Sequence, residues 1–363
     1  MSTVNLKTLS TADTDYSADS VEWCPHEPYQ NIFVCGTYQL LENENQNTVM
    51  KNDLPHKRLG KMLLYKFSIE QNLVLLQTQL TSAILDQKWC HIKINGNALL
   101  GIVNADGFLQ IYELIDGNSL KLFVEICVNV EFEDNLALSL DWNTGRNENQ
   151  APNIIVSDSK GYITVFNLNS DSLDLKCRFH GHEFEAWIGA FDYWDPNIIY
   201  TGGDDCKFKT YDLRCEASIN VSSHHNGGVT SIHSNKLHQY YLATGSYDEN
   251  LLLWDTRQRK SPLSALNLNG GVWRLKWDPF TCKSLLAACM YNGFHVISCE
   301  NLREKPLVLA EYHEHESIAY GADWSYLNLN VGDNTSDSKS INRLLAICSF
   351  YDHKLSVLKL DAE

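Results

Sequence analysis

No stretch of this 363-residue chain approaches the roughly 20 consecutive apolar residues of a membrane-spanning helix. The opening MSTVNLKTLSTADTDYS has no apolar core of the kind a secretory leader carries, so a cytoplasmic protein with no membrane partner is expected. Positive charge is scarce. Lys and Arg number 29 against 45 Asp and Glu, for a formal net charge of −16. Nucleic-acid backbones need clustered basic side chains, so a nucleic-acid partner is excluded. An acidic surface favours a basic protein or a cationic ligand. There is no C-x-x-C pair, and most of the eleven cysteines sit inside apolar segments such as FVCG (33–36), AACM (287–290) and AICS (346–349). Reduced, buried thiols are expected rather than a disulfide framework. The triplets at Asn220 and Asn334 that match a glycosylation signal therefore carry no meaning. The chain also lacks G-x-S-x-G, H-E-x-x-H, a P-loop and G-x-G-x-x-G. None of the chemistries those motifs signal can be read from it.

What is present is a repeat. Seven short strands look alike: LLYKFS (63–68), LQIYEL (109–114), ITVFNL (163–168), FKTYDL (208–213), LLLWDT (251–256), FHVISC (294–299) and LSVLKL (355–360). Upstream of each lies a second landmark, anchored on Trp23, Trp89, Trp142, Tyr193, Ser234, Trp277 and Trp324. Most of the intervals are about 40–50 residues, near the period of a four-stranded propeller blade. Between the landmarks come a third strand and a tight turn, as in YLATGSYDE (241–249) and LLAICSFYDH (344–353). The expected fold is all-β, a seven-bladed propeller forming one domain over residues 1–363. It resembles the WD40 family, most plainly in ATGSYDENLLLWD (243–255). Length alone would suggest two or three domains, but a closed repeat ring is the usual exception. Polar insertions at 41–58, 143–152 and 328–342 read as surface loops. The last blade lacks an outer strand, and VNLKTL (4–9) alternates apolar and polar residues. That N-terminal segment is expected to pair there and close the ring.

The WD40 resemblance also assigns structural residues. Asp106, Asp205, Asp248 and Asp352 each stand six positions before the aromatic or aliphatic residue of a third strand. They look like turn pins bonded to a histidine: His182 for Asp205, and His224 or His225 for Asp248. Such pairs are satisfied polar contacts, not parts of a catalytic triad. Ser157-Asp-Ser-Lys160 fits S-x-x-K by chance on a blade turn. His313-Glu-His315 offers two metal ligands and no third, so no metal is expected.

Loops on one face of a propeller surround its channel mouth. Here, once the pins are set aside, they carry Asp19, Asp86, Glu183, Glu185, Asp204 and Glu249 with Trp187, Tyr247, Trp273, Tyr320 and Tyr351, plus Arg274 and His353. Rings and carboxylates around one concavity suit a cationic guest. The same rings can equally serve to pack neighbouring blades. Glu185, Trp187, Tyr247, Trp273, Tyr320 and Tyr351 are the candidate substrate-binding residues.

Several segments go further than a generic WD40 pattern. TADTDYSADSVEWCP with CGTYQL, TSAILDQKWCH, ALSLDWN, HEFEAWIGAFDYW, GGDD, LATGSYDENLLLWDTR, GGVWRLKWDP, LLAACMYNGF, YGADWS and CSFYDH together resemble the WD-repeat diphthine methyl-esterase family, whose older name is diphthine methyltransferase. The resemblance runs from about residue 11 to 355. It implies hydrolysis of the methyl ester of methylated diphthine on translation elongation factor 2, giving diphthine and methanol before the final amidation to diphthamide. It implies no cofactor, and a monomer is expected. The substrate, a modified histidine, carries a trimethylammonium group beside the ester, which agrees with an acidic aromatic mouth. No family motif fixes the catalytic residues. Ester hydrolysis needs a nucleophile or activated water, a base and an oxyanion stabiliser. A water route would use Glu183, Glu185 or Asp204 as base, with Arg274 or Tyr247 at the oxyanion. A covalent route would use Ser20, Ser139 or Ser231, and His353 fits either. The candidate catalytic set is Glu183, Asp204, Arg274 and His353. Two rivals remain: a non-catalytic WD40 scaffold for protein–protein interaction, and a methyltransferase in the literal sense of the older name. The second lacks a Gly-rich strand–turn–helix for a methyl donor.

Overall fold

A computed structural model describes residues 4–41, 58–144, 151–215, 218–327 and 342–362. The greater part of each polar insertion lies outside them. The described residues form twenty-eight strands, β1 to β28 in chain order, in seven four-stranded antiparallel sheets. They contain no helix long and apolar enough to cross a membrane. The sheets are the seven blades expected, and the seven look-alike strands are the third strand of each.

The innermost strands are β2 (Ser17–Trp23), β6 (Ile84–Trp89), β10 (Ala137–Trp142), β14 (Ile188–Phe191), β18 (Val229–Ser234), β22 (Arg274–Trp277) and β26 (Ala319–Trp324). Five of the seven end in tryptophan, and the hydrogen bonds show why. The indole N–H of Trp89 donates to the Glu22 carbonyl at 3.1 Å, Trp142 to Lys88 at 2.9 Å, Trp277 to His233 at 3.0 Å and Trp324 to Lys276 at 2.9 Å. In these four the ring fills the gap between blades while its one polar atom is satisfied by the blade before; Trp23 packs in the same way with its indole nitrogen unpartnered. Blade four departs from the expected pattern. Phe191 occupies this position, not Tyr193, and the Tyr193 hydroxyl instead donates to Asp141 at 3.4 Å. The FDYWDP segment holds three rings, and sequence spacing alone selects the wrong one.

The ring closes as expected. β1 (Val4–Asp13) pairs antiparallel with β28 (Lys354–Ala362) from Val4↔Ala362 to Asp13↔Lys354, completing the sheet begun by β26 and β27 (Asn342–Ser349). Its side chains enter two interblade cores. Val4 and Leu6 pack with Ile347 and Leu358, and Leu9 and Ala12 with Leu355 and Val357. All eleven cysteines are free.

Two turn pins form as expected. His182 Nδ1 lies 2.8 Å from Asp205, with Nε2 2.8 Å from the Thr201 hydroxyl. His225, not His224, holds Asp248 at 3.1 Å and Thr244 at 2.8 Å. In blade seven the link is indirect: Ser349 donates to Asp352 and lies 2.7 Å from His315. Asp106 is no pin. It is exposed, and the Asn104 side chain holds that turn by accepting from the Asp106 and Phe108 amides. Burial raises the Asp205 and Asp248 carboxyls, but the bonded histidines and backbone amides outweigh it and hold both at about 2. A depressed carboxyl contributes stability above its ordinary value of 3.8 that is lost as pH falls toward 2. Asp205→Asn and Asp248→Asn are each expected to cost about 1.5–3 kcal/mol at neutral pH. The doubly substituted protein should show a flatter acid unfolding curve between about pH 4 and 2, as read by circular dichroism.

Candidate active site at the channel mouth

Five of the seven inner strands begin with the same device. In β2, β6, β10, β18 and β26 the register to the second strand slips by one residue at Asp19, Leu85, Leu138, Thr230 and Tyr320. A bulge of this kind re-aims one side chain. Trp187 and Trp273 stand at the equivalent place, four residues before Phe191 and Trp277. All seven line one cavity of about 460 Å³ at the mouth of the channel. The fold therefore fixes one inward residue per blade, and the sequence chooses its chemistry.

That choice is lopsided. Blades four to seven, together with Tyr38 of blade one, supply a continuous aromatic wall. Trp187 meets Tyr247 at 6.0 Å and Trp273 at 5.8 Å, both edge-on. Trp273 stacks on Tyr320 at 4.5 Å. Phe350 continues the wall at 5.1 Å from Tyr320 and 5.0 Å from Tyr351, and Tyr38 lies 5.7 Å beyond. Leu85, Leu136 and Leu138 form the opposite side. Among the described residues the ionisable groups lining the cavity are Asp19, Glu185, Arg274 and the tyrosines.

Trp187 is oriented from behind. Its indole N–H donates to Asp204 at 3.0 Å. Gly228 makes room for this bond, since a Cβ there would stand 2.7 Å from the Asp204 oxygen and 3.2 Å from the indole nitrogen. At the cavity floor Arg274 reaches across the channel to Asp86 at 3.1 Å, both residues being buried. Burial opposes both charges. Arg274, Lys88 and the Leu140 amide nevertheless hold Asp86 below its ordinary value, and Asp86, Glu22 and Asp19 keep Arg274 charged. Asp19 differs. Burial pushes its carboxyl well above the usual range, Arg274 only partly offsets this, and Asp86 adds to it. Below Arg274 the channel narrows past Glu22, Lys88, His233, Lys276 and Asp323, where Lys276 bonds Glu22 and lies 3.8 Å from Asp323.

Of the residues singled out from sequence, the cavity brings together Asp19, Ser139, Glu185, Trp187, Tyr247, Trp273, Arg274, Tyr320 and Tyr351. Glu183 is exposed and does not line it. Asp204 stands outside, behind Trp187. His353 sits in the β27–β28 turn with φ 54°, its carbonyl accepting from Thr14, and does not line the cavity. The serines are committed elsewhere or stranded. Ser139 lies 2.7 Å from Ser157 and accepts from the Gly189 amide, Ser231 accepts from the Leu275 amide, and among the described residues no histidine lines the cavity to activate any of them. Among the described residues no group of three His, Cys, Asp or Glu could hold a metal ion. Leu85, Leu138, Thr230 and Phe350 were not anticipated as lining residues. Counting four back from each inner-strand terminus finds the first three.

Comparison with known proteins gives consistent relatives. The chain is 40% identical over 371 residues to a diphthine methyltransferase of Homo sapiens, covering 94% of this chain and 82% of that protein. It is 35% identical to a diphthine methyltransferase homolog of Dictyostelium discoideum, covering 94% and 96%. It is 29% identical to a diphthine methyltransferase of Schizosaccharomyces pombe, covering 98% of each. No family model matches the chain. Among solved structures it superposes on a chain of a mitotic checkpoint complex with TM-score 0.70 over 97% of this chain and 91% of that one, at 14% identity, a likeness of fold alone.

Proposed function

The chain belongs to the diphthine methyltransferase family, and on that premise we propose that it acts in diphthamide biosynthesis as a hydrolase. Its substrate would be the methyl ester of methylated diphthine on translation elongation factor 2, and its products diphthine and methanol. The observation that carries the reading is the cavity itself. A trimethylammonium group offers no hydrogen-bond donor, so rings and distant carboxylates are the means of holding it. Ring faces contribute about 1–2 kcal/mol each when desolvated. The wall of Trp187, Tyr247, Trp273 and Tyr320 supplies faces and edges, with Glu185 at the rim and Asp204 behind Trp187 supplying negative charge. The ester beside the cation would then reach the floor, where Arg274 is the cationic group present. Transfer from a methyl donor is less well supported, since the described residues hold no helix whose N-terminus would receive one.

The test is methanol release from purified ester-bearing elongation factor, with no S-adenosylmethionine added. Steady release at catalytic enzyme concentrations is expected, and binding without release would favour the scaffold reading. Within that assay Trp187→Leu should raise KM by about 5–30-fold, the loss of one desolvated ring face, with a smaller fall in kcat.

A further inference from the structure

Among the described residues several buried polar atoms of the inner strands have no hydrogen-bond partner, the Ser20 hydroxyl, Trp23 Nε1 and Gln87 Oε1 among them, but those residues do not line the mouth cavity. Two buried polar atoms on cavity-lining residues have no partner: Asp19 Oδ1, an acceptor, and Trp273 Nε1, a donor. Asp19 is only 4% exposed, yet its bulge aims it into the cavity. A buried, unpaired carboxylate oxygen costs stability, so its retention points to use. Trp273 is adjacent in sequence to Arg274, and all three residues line the same cavity. One acceptor, one neutral donor and one guanidinium form the set that water-mediated ester cleavage requires.

We propose that Asp19 is the general base of this site, and that Arg274 with Trp273 Nε1 receives the oxyanion, Asp86 being a positioning residue that holds the guanidinium. The inference rests on the hydrolytic reading above. In the first step the water oxygen bonds to the ester carbon while its proton passes to the Asp19 carboxylate. The carbonyl electron pair moves onto oxygen, facing Arg274 and Trp273. In the second step that pair re-forms the carbonyl, the C–OCH3 bond breaks, and Asp19 returns the proton to the methoxy oxygen. Methanol leaves, and the carboxylic acid product releases its own proton to solvent. The groups acting on the Asp19 charge are Arg274 on β22, Asp86 on β6, Tyr320 on β26 and Cys348 on β27. They and burial place its titration above the usual carboxylate range, so kcat/KM should fall with decreasing pH sooner than an ordinary carboxylate would allow.

The experiment measures methanol release by the full chain and by Asp19→Asn, Asp19→Glu and Trp273→Phe, with thermal midpoints for each. Asp19→Asn is expected to lower kcat by about 10²–10⁴-fold with an unchanged or higher midpoint, because a desolvated carboxyl is replaced by a neutral amide. Asp19→Glu should recover part of the rate and shift the acidic limb. Trp273→Phe keeps a ring but loses the donor, and should lower kcat more than it raises KM. If Asp19→Asn keeps its rate within about threefold, the base assignment fails while the hydrolytic reading stands. If activity and midpoint fall together and Asp19→Glu is no better than Asp19→Asn, Asp19 is structural and the inference is overturned. If the unmodified chain releases no methanol, the hydrolytic reading fails and the inference fails with it.

Discussion

Deleting residues 1–10 is expected to destabilise the whole ring rather than fray one end. Among the described residues β1 is the only strand on the outer edge of β28, and Val4, Leu6 and Leu9 enter the cores on both sides of blade seven. Thr8 adds a 2.8 Å contact to the Tyr312 hydroxyl of blade six. Three partly buried apolar side chains amount to about 2–5 kcal/mol. That is a large share of the roughly 5–15 kcal/mol that separates folded from unfolded protein. The deletion also bares a strand edge, which promotes self-association. The thermal midpoint should drop as one cooperative transition, with larger species in size-exclusion chromatography. An unchanged midpoint with exchange confined to blade seven would show that the remaining interblade contacts suffice.

The second large effect is expected at Arg274. Its guanidinium crosses the channel to Asp86, so Arg274→Met leaves a buried carboxylate with Lys88, 3.7 Å away, as its basic partner and Lys276 acting from farther off. Breaking one side of a buried pair costs about 3–5 kcal/mol, and Lys88 places this case toward the lower end. Replacing both partners, Arg274→Met with Asp86→Leu, should recover much of that loss, because an apolar pair requires no desolvation of charge. Activity should not return. Loss of an oxyanion donor lowers kcat by about 10²–10³-fold, and the double variant still lacks it. Urea unfolding and methanol release on the same samples separate the two roles of this one side chain.

Much of the fold could be read from residues that recur. Tryptophan at the end of four inner strands has a physical cause, the indole bond to the preceding blade, and so leaves a regular mark; Trp23 keeps the place by packing alone, its indole nitrogen being without a partner. Blade four broke the pattern because the phenylalanine ring has no N–H to donate, and a nearby tyrosine looked like the better anchor. Asp106 misled in the same way: Asn104 does the pinning two residues earlier, an exchange that counting back from the third strand does not reveal. The aromatic half of the cavity was legible because large rings in loops of an acidic protein stand out. The aliphatic half was not, since Leu85 and Leu138 look like ordinary strand residues until a bulge turns them inward. Membership of a mouth loop also does not give side-chain direction, which is why Glu183 and His353 were grouped with residues they do not join. The Arg274–Asp86 pair joins blades six and two, and only the closed ring makes it a neighbourhood.

Intact mass spectrometry of elongation factor 2 bearing the diphthine methyl ester, incubated with catalytic amounts of this protein and no methyl donor, addresses the central claim. The account predicts loss of one methyl group from the ester, with the trimethylammonium retained, and inhibition by a small quaternary ammonium that competes for the aromatic wall. A mass that stays constant until S-adenosylmethionine is supplied, and then rises, would contradict it.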